Sequence, residues 1–382
     1  MRRGQTNFYK LKISTILLMP ILIFIQSVTV NSIKKFISQL LPKNRCTDDA
    51  VCTMNQIKIS FPTSPYLKVI LFILISGFFG CRNQTTNTSV IEATNVVDQN
   101  LPKVVATTSV LCDLTKQIAE NTINLTCLIP SNQFPQIYQP TAEDGDALEQ
   151  ANLILYNGYN LEPQLIKQIN TTKNSASKIA VGQIAVPKPQ QFTVNGRRVN
   201  NPYIWHNPKN AIRMLDVINS NLNKLEPSNR TIYNENTKRI KGELTQLDNW
   251  IKLKIATIPR NKRKLVTTNN AMDYYTKAYG IPSVTLGSEA QATDQRVKNL
   301  VQYIQKSNVP TIFADMSDTS KVMVSIATEA EVNLSQRQLY TQGLGEAISD
   351  GDTYQNMMVA NTRTIVEGLG GTYLIFKPKA QN

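Results

Sequence analysis

Histidine is almost missing from this chain: 382 residues hold one, His206. General acid–base catalysis and transition-metal sites both draw first on imidazole, so a single one leaves either chemistry short of its usual supply. No G-x-G-x-x-G or Walker A sequence follows the first expected strand, and no cysteine or serine stands near a base that would activate it. These absences predict that the chain is not an enzyme. Long basic runs are lacking too, although the formal net charge is +14. Ten of the 41 Lys and Arg, against two of the 27 Asp and Glu, fall in residues 1 to 81. The remainder is mildly basic without a patch that tracks phosphates, which excludes nucleic acid as the expected partner. With 41% hydrophobic and 18% charged residues the composition is globular, so disorder is excluded for most of the chain.

What is present begins with two apolar runs. Ile13 to Val30 is about long enough to span a bilayer, and Val69 to Gly80 (VILFILISGFFG) has the length of a signal-peptide core. Lys58 and Lys68 precede the second run. Gly80 directly before Cys81 resembles a lipoprotein cleavage site, with Phe78 where Leu, Val or Ile usually stands. A complete signal of this type begins at Met54, which makes residues 1 to 53 an upstream extension. A two-span anchor, or one span plus a cleaved signal, are the other arrangements. All three export the domain to the periplasm or the outer cell surface and leave it membrane-anchored, in the first case by lipid on Cys81. Cys46 and Cys52 go with the leader, so Cys112 and Cys127 are the pair left in the mature domain. A disulfide and two buried free thiols both fit their spacing.

The expected organisation is a leader over 1–81, a flexible tether over 82–102, an N-terminal lobe over 103–227, a linking helix over 228–258 and a C-terminal lobe over 259–382. The tether is polar, rich in Thr and Asn, and lacks an apolar period. Strands are expected at 104–108, 123–129, 153–156 and near 179–181, with helices at 110–120 and near 161–169. A capping box at Thr141 to Asp144 opens another helix. From Ser228 to Thr257 the chain has no proline, and Ile240, Leu244, Leu247, Ile251 and Ile255 recur at helical spacing, with Ser228 as the expected cap. Beyond it the alternation restarts: strands at 264–268, 283–286, 311–314 and one ending near Tyr340, and helices from Asn270, from Asp294, at 320–330 and at 353–369. The fold class is therefore α/β: two βα lobes with mostly parallel sheets, joined by one long backbone helix, with a ligand cleft between the lobes.

Four segments, QFPQIYQPT (133–141), NPYIWHNPKNA (201–211), TTNNAMDYY (267–275) and LYTQGLG (339–345), have the frame of metal-binding loops. With VVATTSVLCDL (104–114), LILYNGYNLEPQL (153–165), NVPTIFAD (308–315) and NTRTIVEGL (361–369), they make residues 103–376 resemble the zinc/manganese solute-binding proteins of ABC transporters, cluster A-I type. That family holds its metal by His in D-P-H-x-Y-x-P-T, His in [DN]-P-H-x-W, Glu or His in T-x-[EH]-x-A, and Asp in T-D-S-L. The matching positions here are Gln136, Tyr203, Asn269 and Gln342, none of them the family residue.

The resemblance implies a monomeric lipoprotein that delivers a metal ion or other small solute to an ABC permease membrane subunit, anchored in membrane lipid through Cys81. Zinc or manganese enters by resemblance only, since amide oxygens and a neutral phenol are poor ligands and a buried dication without an anion keeps an uncompensated charge. A lower-coordinate site rebuilt on His206 and Asp315 stands beside the plainer expectation of a packed histidine next to Trp205 and a structural carboxylate. The segment from Pro187 to Asn201, where zinc importers often carry a His-rich loop, has no His, Cys or carboxylate. The four replacements fit either a hydrogen-bonded plug or a polar solute. The alternative function is a ligand-free or repurposed extracellular interaction or adhesion module on the same fold.

Overall fold

Period-two alternation decides where the first sheet is buried. In the computed structural model, which describes residues 101–378 apart from 132, 195, 288–292 and 316–320, strand β1 (Lys103–Ala106) pairs in parallel with β2 (Asn124–Cys127) and β3 (Leu153–Tyr156). Strand β4 (Ser177–Ala180) completes the order β2-β1-β3-β4. Successive side chains point to opposite faces, so Val104, Ala106, Leu153 and Leu155 enter one core while Val105 and Ile154 enter another. Leu111 and Leu114 of α1 (Ser109–Ala119) cover the first face; Leu148 of α2 (Ala142–Gln150) and Leu165 and Ile169 of α3 (Pro163–Thr171) cover the second. The expected capping box opens α2: Asp144 N–H donates to Thr141 Oγ1 at 3.2 Å and Thr141 N–H to Asp144 Oδ2 at 2.8 Å. Cys112 on α1 and Cys127 at the end of β2 are joined as a disulfide, their Cα atoms 5.7 Å apart. The leader, Cys81, Met54 and residues 82–100 of the tether lie outside the described residues. Among the described residues no helix is long and apolar enough to cross a membrane.

After the short helix α4 (Val181–Ala185), residues assigned no element from the sequence build a hairpin, β5 (Gln191–Val194) antiparallel to β6 (Arg197–Asn200). Gly196, at φ 76°, supplies the left-handed residue its tight turn demands. Helix α5 (Pro208–Leu225), capped by Asn207 with Pro208 in its first turn, packs along α6 (Arg230–Ala256). Ser228 does not cap α6: it lies in the 3-10 turn Pro227–Asn229, its hydroxyl turned back to Glu226, and the helix starts two residues later. The apolar seam is as expected, with Ile240, Leu244, Leu247, Ile251 and Ile255 buried.

The second lobe repeats the first strand order. β7 (Leu265–Thr267) pairs in parallel with β8 (Ser283–Thr285), β9 (Thr311–Ile312) with β10 (Asn333–Leu334), and a Thr267–Phe313 bridge joins β7 to β9, giving β8-β7-β9-β10. Asn270 opens only a 3-10 turn before α7 (Asp273–Tyr279), and the strand expected to end near Tyr340 is a single bridge between Leu339 and Asp315. The remaining helices are α8 (Asp294–Lys306), α9 (Lys321–Glu329) and α10 (Tyr354–Gly368). α6 packs against α1 and α5 of the first lobe and α7 and α10 of the second.

Polar bonds cross between the lobes beside this seam. Tyr354 N–H at the start of α10 donates to Asp113 Oδ2 on α1 at 2.9 Å, and Tyr354 Oη donates to Trp205 O at 2.7 Å. Burial pushes the Asp113 carboxyl up to about 6, against the hydrogen bonds from Tyr354 and Gln117. A folded pKa above the unfolded value means that the folded state holds the extra proton, so this group's contribution to stability falls as pH rises from about 4 to about 6. Asp113→Asn keeps an acceptor for Tyr354 N–H without titrating. Its stability relative to the native chain should therefore climb between pH 4 and 7 by on the order of 2 to 3 kcal/mol. Thermal unfolding of both proteins across that range checks this; a pH-independent difference would count against it.

Candidate ligand site between the lobes

The site is assembled at the carboxyl ends of strands from both lobes, where this class of fold places its ligands. Gln136 sits in the loop between β2 and α2. That loop is pinned by Tyr138, whose hydroxyl lies 3.1 Å from Leu128 O and 2.8 Å from Asp144 Oδ2. Tyr203 precedes the 3-10 turn Ile204–His206; its N–H donates to Asn201 Oδ1 at 3.0 Å and its ring meets Trp205 edge-on at 5.6 Å. Gln342 arrives from the second lobe on a segment held on three sides. Asn361 clamps the Tyr340 backbone with two 2.8 Å bonds, His206 Nε2 donates to Thr341 O at 2.8 Å, and Leu344 N–H donates to Ser109 Oγ at 3.0 Å. A Cβ at Gly343 would stand 2.6 Å from Ser109 Oγ, so only glycine allows this close approach to α1.

Gln136, Tyr203 and Gln342 form a closed ring. Gln136 Nε2 donates to Gln342 Oε1 at 3.1 Å and to Tyr203 Oη, and Tyr203 Oη donates to Gln342 Oε1 at 3.0 Å. Two amide hydrogens and one hydroxyl hydrogen thus meet three acceptor positions, and no member is charged. Burial pushes the Tyr203 hydroxyl far above the range in which tyrosine ionises, and the nearby Asp315 charge pushes the same way. A phenolate ligand is therefore not supplied at neutral pH.

Asn269 is placed differently. Its Oδ1 accepts from Ala271 N–H at 2.9 Å, capping the turn that leads into α7, and its Nδ2 donates to Asp315 Oδ2. Of the four residues expected at the site from the resemblance, the structure brings Gln136, Tyr203 and Gln342 into mutual contact and engages Asn269 with Asp315. His206 is fully buried, and because a carbonyl only accepts, its proton sits on Nε2, leaving Nδ1 unprotonated and without a hydrogen-bond partner. Burial holds its pKa down at about 4. Among the described residues no group of three or more His, Cys, Asp and Glu is arranged to hold a metal ion. Two contributors were not singled out from sequence: Asn361, whose only signal was its place in NTRTIVEGL, and Ser109 at the start of α1.

The ring makes a measurable claim about coupling. Tyr203→Phe and Gln342→Ala should each cost about 1 to 2 kcal/mol in denaturant unfolding. The double variant should cost less than the sum by about 1 kcal/mol, because the two side chains spend their bonds on each other. Additive costs would show that they do not interact.

The comparisons with known proteins agree with this fold. The family model for zinc-uptake complex component A, periplasmic (ZnuA), matches residues 104–368. The manganese ABC transporter substrate-binding lipoprotein PsaA of Streptococcus mitis is 32% identical over 277 residues, 70% of this chain and 89% of that protein. The metal ABC transporter substrate-binding lipoprotein SsaB of Streptococcus sanguinis is 30% identical over 310 residues, 78% of this chain and 97% of that protein. Among solved structures, the periplasmic zinc-binding protein TroA from Treponema pallidum aligns with a TM-score of 0.66 at 26% identity, covering 70% of this chain and 99% of TroA. With a match over most of the folded part and relatives aligned nearly end to end, the chain belongs to the zinc-uptake complex component A family of solute-binding proteins.

Proposed function

We propose that the chain is the solute-binding component of an ABC importer, an exported and non-enzymatic lipoprotein that holds a solute and presents it to a membrane permease. Relatives named as substrate-binding lipoproteins of metal ABC transporters support this, as does the two-lobe α/β fold. A lipid anchor on Cys81, a monomeric state and the division into 103–227, 228–258 and 259–382 belong to the same proposal. The long α6 and the polar bonds between the lobes favour small movements over a wide hinge.

Zinc or manganese is the cargo that kinship suggests, and the donor set argues against tight binding of either in the inherited geometry. The observation that carries this is the ring of Gln136, Tyr203 and Gln342: Gln342 Oε1 and Tyr203 Oη already accept bonds within it, and it offers a dication no negative charge. His206 acts in this proposal as the support of the Gln342 segment through Thr341, and Asp315 as the partner of Asn269.

Calorimetric titration of the metal-stripped intact chain with Zn²⁺ and Mn²⁺ tests it. The native chain should show no stoichiometric binding in the micromolar range. A variant carrying Gln136→His, Tyr203→His, Asn269→Glu and Gln342→Asp should bind at least about a hundredfold more tightly, since it restores imidazole and carboxylate donors. Stoichiometric binding by the native chain at micromolar affinity or tighter would overturn the proposal, and loss of that binding in His206→Ala would place the site at the single histidine.

A further inference from the structure

A cavity opens beside the ring, on the first lobe. It is an open cleft of about 710 Å³, within the usual range of small-molecule sites, and runs between the loop after β3, α3, α4 and the β5–β6 hairpin. Among the described residues no charged side chain lines it, in a chain of formal charge +14. Four aromatic residues do: Tyr156, Tyr159, Phe192 and Tyr203. Five side-chain amides stand among them: Gln136, Asn160, Asn170, Gln183 and Asn200.

The wall of this cavity is built at a conformational cost. Gly158, Tyr159 and Asn160 are three consecutive residues in the left-handed region, at φ 83°, 56° and 57°. Glycine and asparagine tolerate that conformation, but tyrosine rarely adopts it, and such strain persists only where surrounding bonds impose it. Those bonds are present. Asn157 Nδ2 donates to Pro202 O at 3.1 Å, Gly182 N–H donates to Asn157 O at 3.0 Å, and Tyr159 Oη donates to Val186 O. The Gln183 side chain lies over Gly158, where a Cβ would stand 2.6 Å from Gln183 Oε1. Meanwhile the side chains of Tyr156, Asn160, Asn170 and Gln183 make no hydrogen bond to any other described side chain or backbone group. The loop is strained and the amides beside it are left open to the cavity.

We infer that this cavity binds a neutral polyhydroxylated ligand, a saccharide of about disaccharide size. Amides present a donor and an acceptor side by side, as adjacent hydroxyls do, and aromatic faces pack against the apolar C–H face of a sugar ring. A bare cation or anion would find no counter-charge here and would lose its hydration uncompensated. Gln136 and Tyr203 belong to both the cavity wall and the ring, so a bound sugar would rest against side chains that Gln342 of the second lobe holds. The inference goes beyond the importer proposal and does not depend on whether metal binds.

Saturation-transfer NMR followed by calorimetry on the intact, metal-free chain tests it, with maltose, cellobiose, sucrose and N-acetylglucosamine as neutral probes and glucosamine and glucuronate as charged controls. At least one neutral probe should bind in the millimolar range or tighter, and at least about tenfold more tightly than either control. Phe192→Ala, and separately the pair Asn170→Ala with Gln183→Ala, should weaken that binding about tenfold or more while the unfolding midpoint holds, because these side chains are half-buried or exposed. Absence of transfer to every neutral probe at about 10 mM, preference for a charged control, or binding that survives both variants would overturn the inference. Metal titration has no part in these readouts, so a failure here and a failure of the importer proposal are distinguishable.

Discussion

The apolar seam of α6 is the contact on which the arrangement of the lobes depends. A helix of 27 residues extends roughly 40 Å at about 1.5 Å per residue, longer than one small lobe is wide. Ile240, Leu244, Leu247, Ile251 and Ile255 are buried along it, each stabilising the fold by about 1.5 to 3 kcal/mol. The polar bonds beside the seam, such as Tyr279 Oη to Asp248 Oδ1 at 3.0 Å, contribute less apiece but fix orientation. Because α6 takes helices from both lobes, the separation between the lobes is set before any ligand is considered.

Within that frame the cleft must satisfy most of the polar groups that it buries, although His206 Nδ1 and Thr341 Oγ1 are left without a hydrogen-bond partner. A dication between the lobes does this with anionic and imidazole ligands; here an uncharged ring does it with amides and a phenol. Gln136 and Tyr203 come from one lobe and Gln342 from the other, so the ring bridges the lobes as a bound ligand would. Replacing charge by hydrogen bonding removes the desolvation penalty of an ion, and it also removes the attraction that would draw one in. His206 fits the same logic, buried and neutral, spending its one proton on the backbone that carries Gln342.

Neutrality continues outward from the ring into the adjoining cavity, where strain at 158–160 and unspent amides replace the carboxylates expected of a cation site. The Gly158 conformation and the Gln183 side chain above it are matched: each makes room for the other. This local agreement between backbone and side chain marks a built surface more than an incidental gap.

Much of the fold was legible because it rests on local periodicity. The VVA run, the capping box at Thr141 and the α6 seam are patterns of neighbours in sequence, and each appears where its period places it. Helix starts at Ser228 and Asn270 were displaced because a 3-10 turn, whose i to i+3 bonds meet some of the same end groups, precedes each α-helix. The β5–β6 hairpin escaped because its strands are short and half-exposed, and its apolar alternation, Phe192 and Val194 with Val199, is only three residues. For the site, sequence determined that Gln136, Tyr203, Asn269 and Gln342 carry uncharged, hydrogen-bonding side chains. Only tertiary structure decided that three of them close on one another while Asn269 turns to Asp315. The physical reason is that hydrogen bonds are directional and short-ranged, so which partners meet, across 67 residues for Gln136 and Tyr203 and 139 for Tyr203 and Gln342, is settled by how the lobes pack.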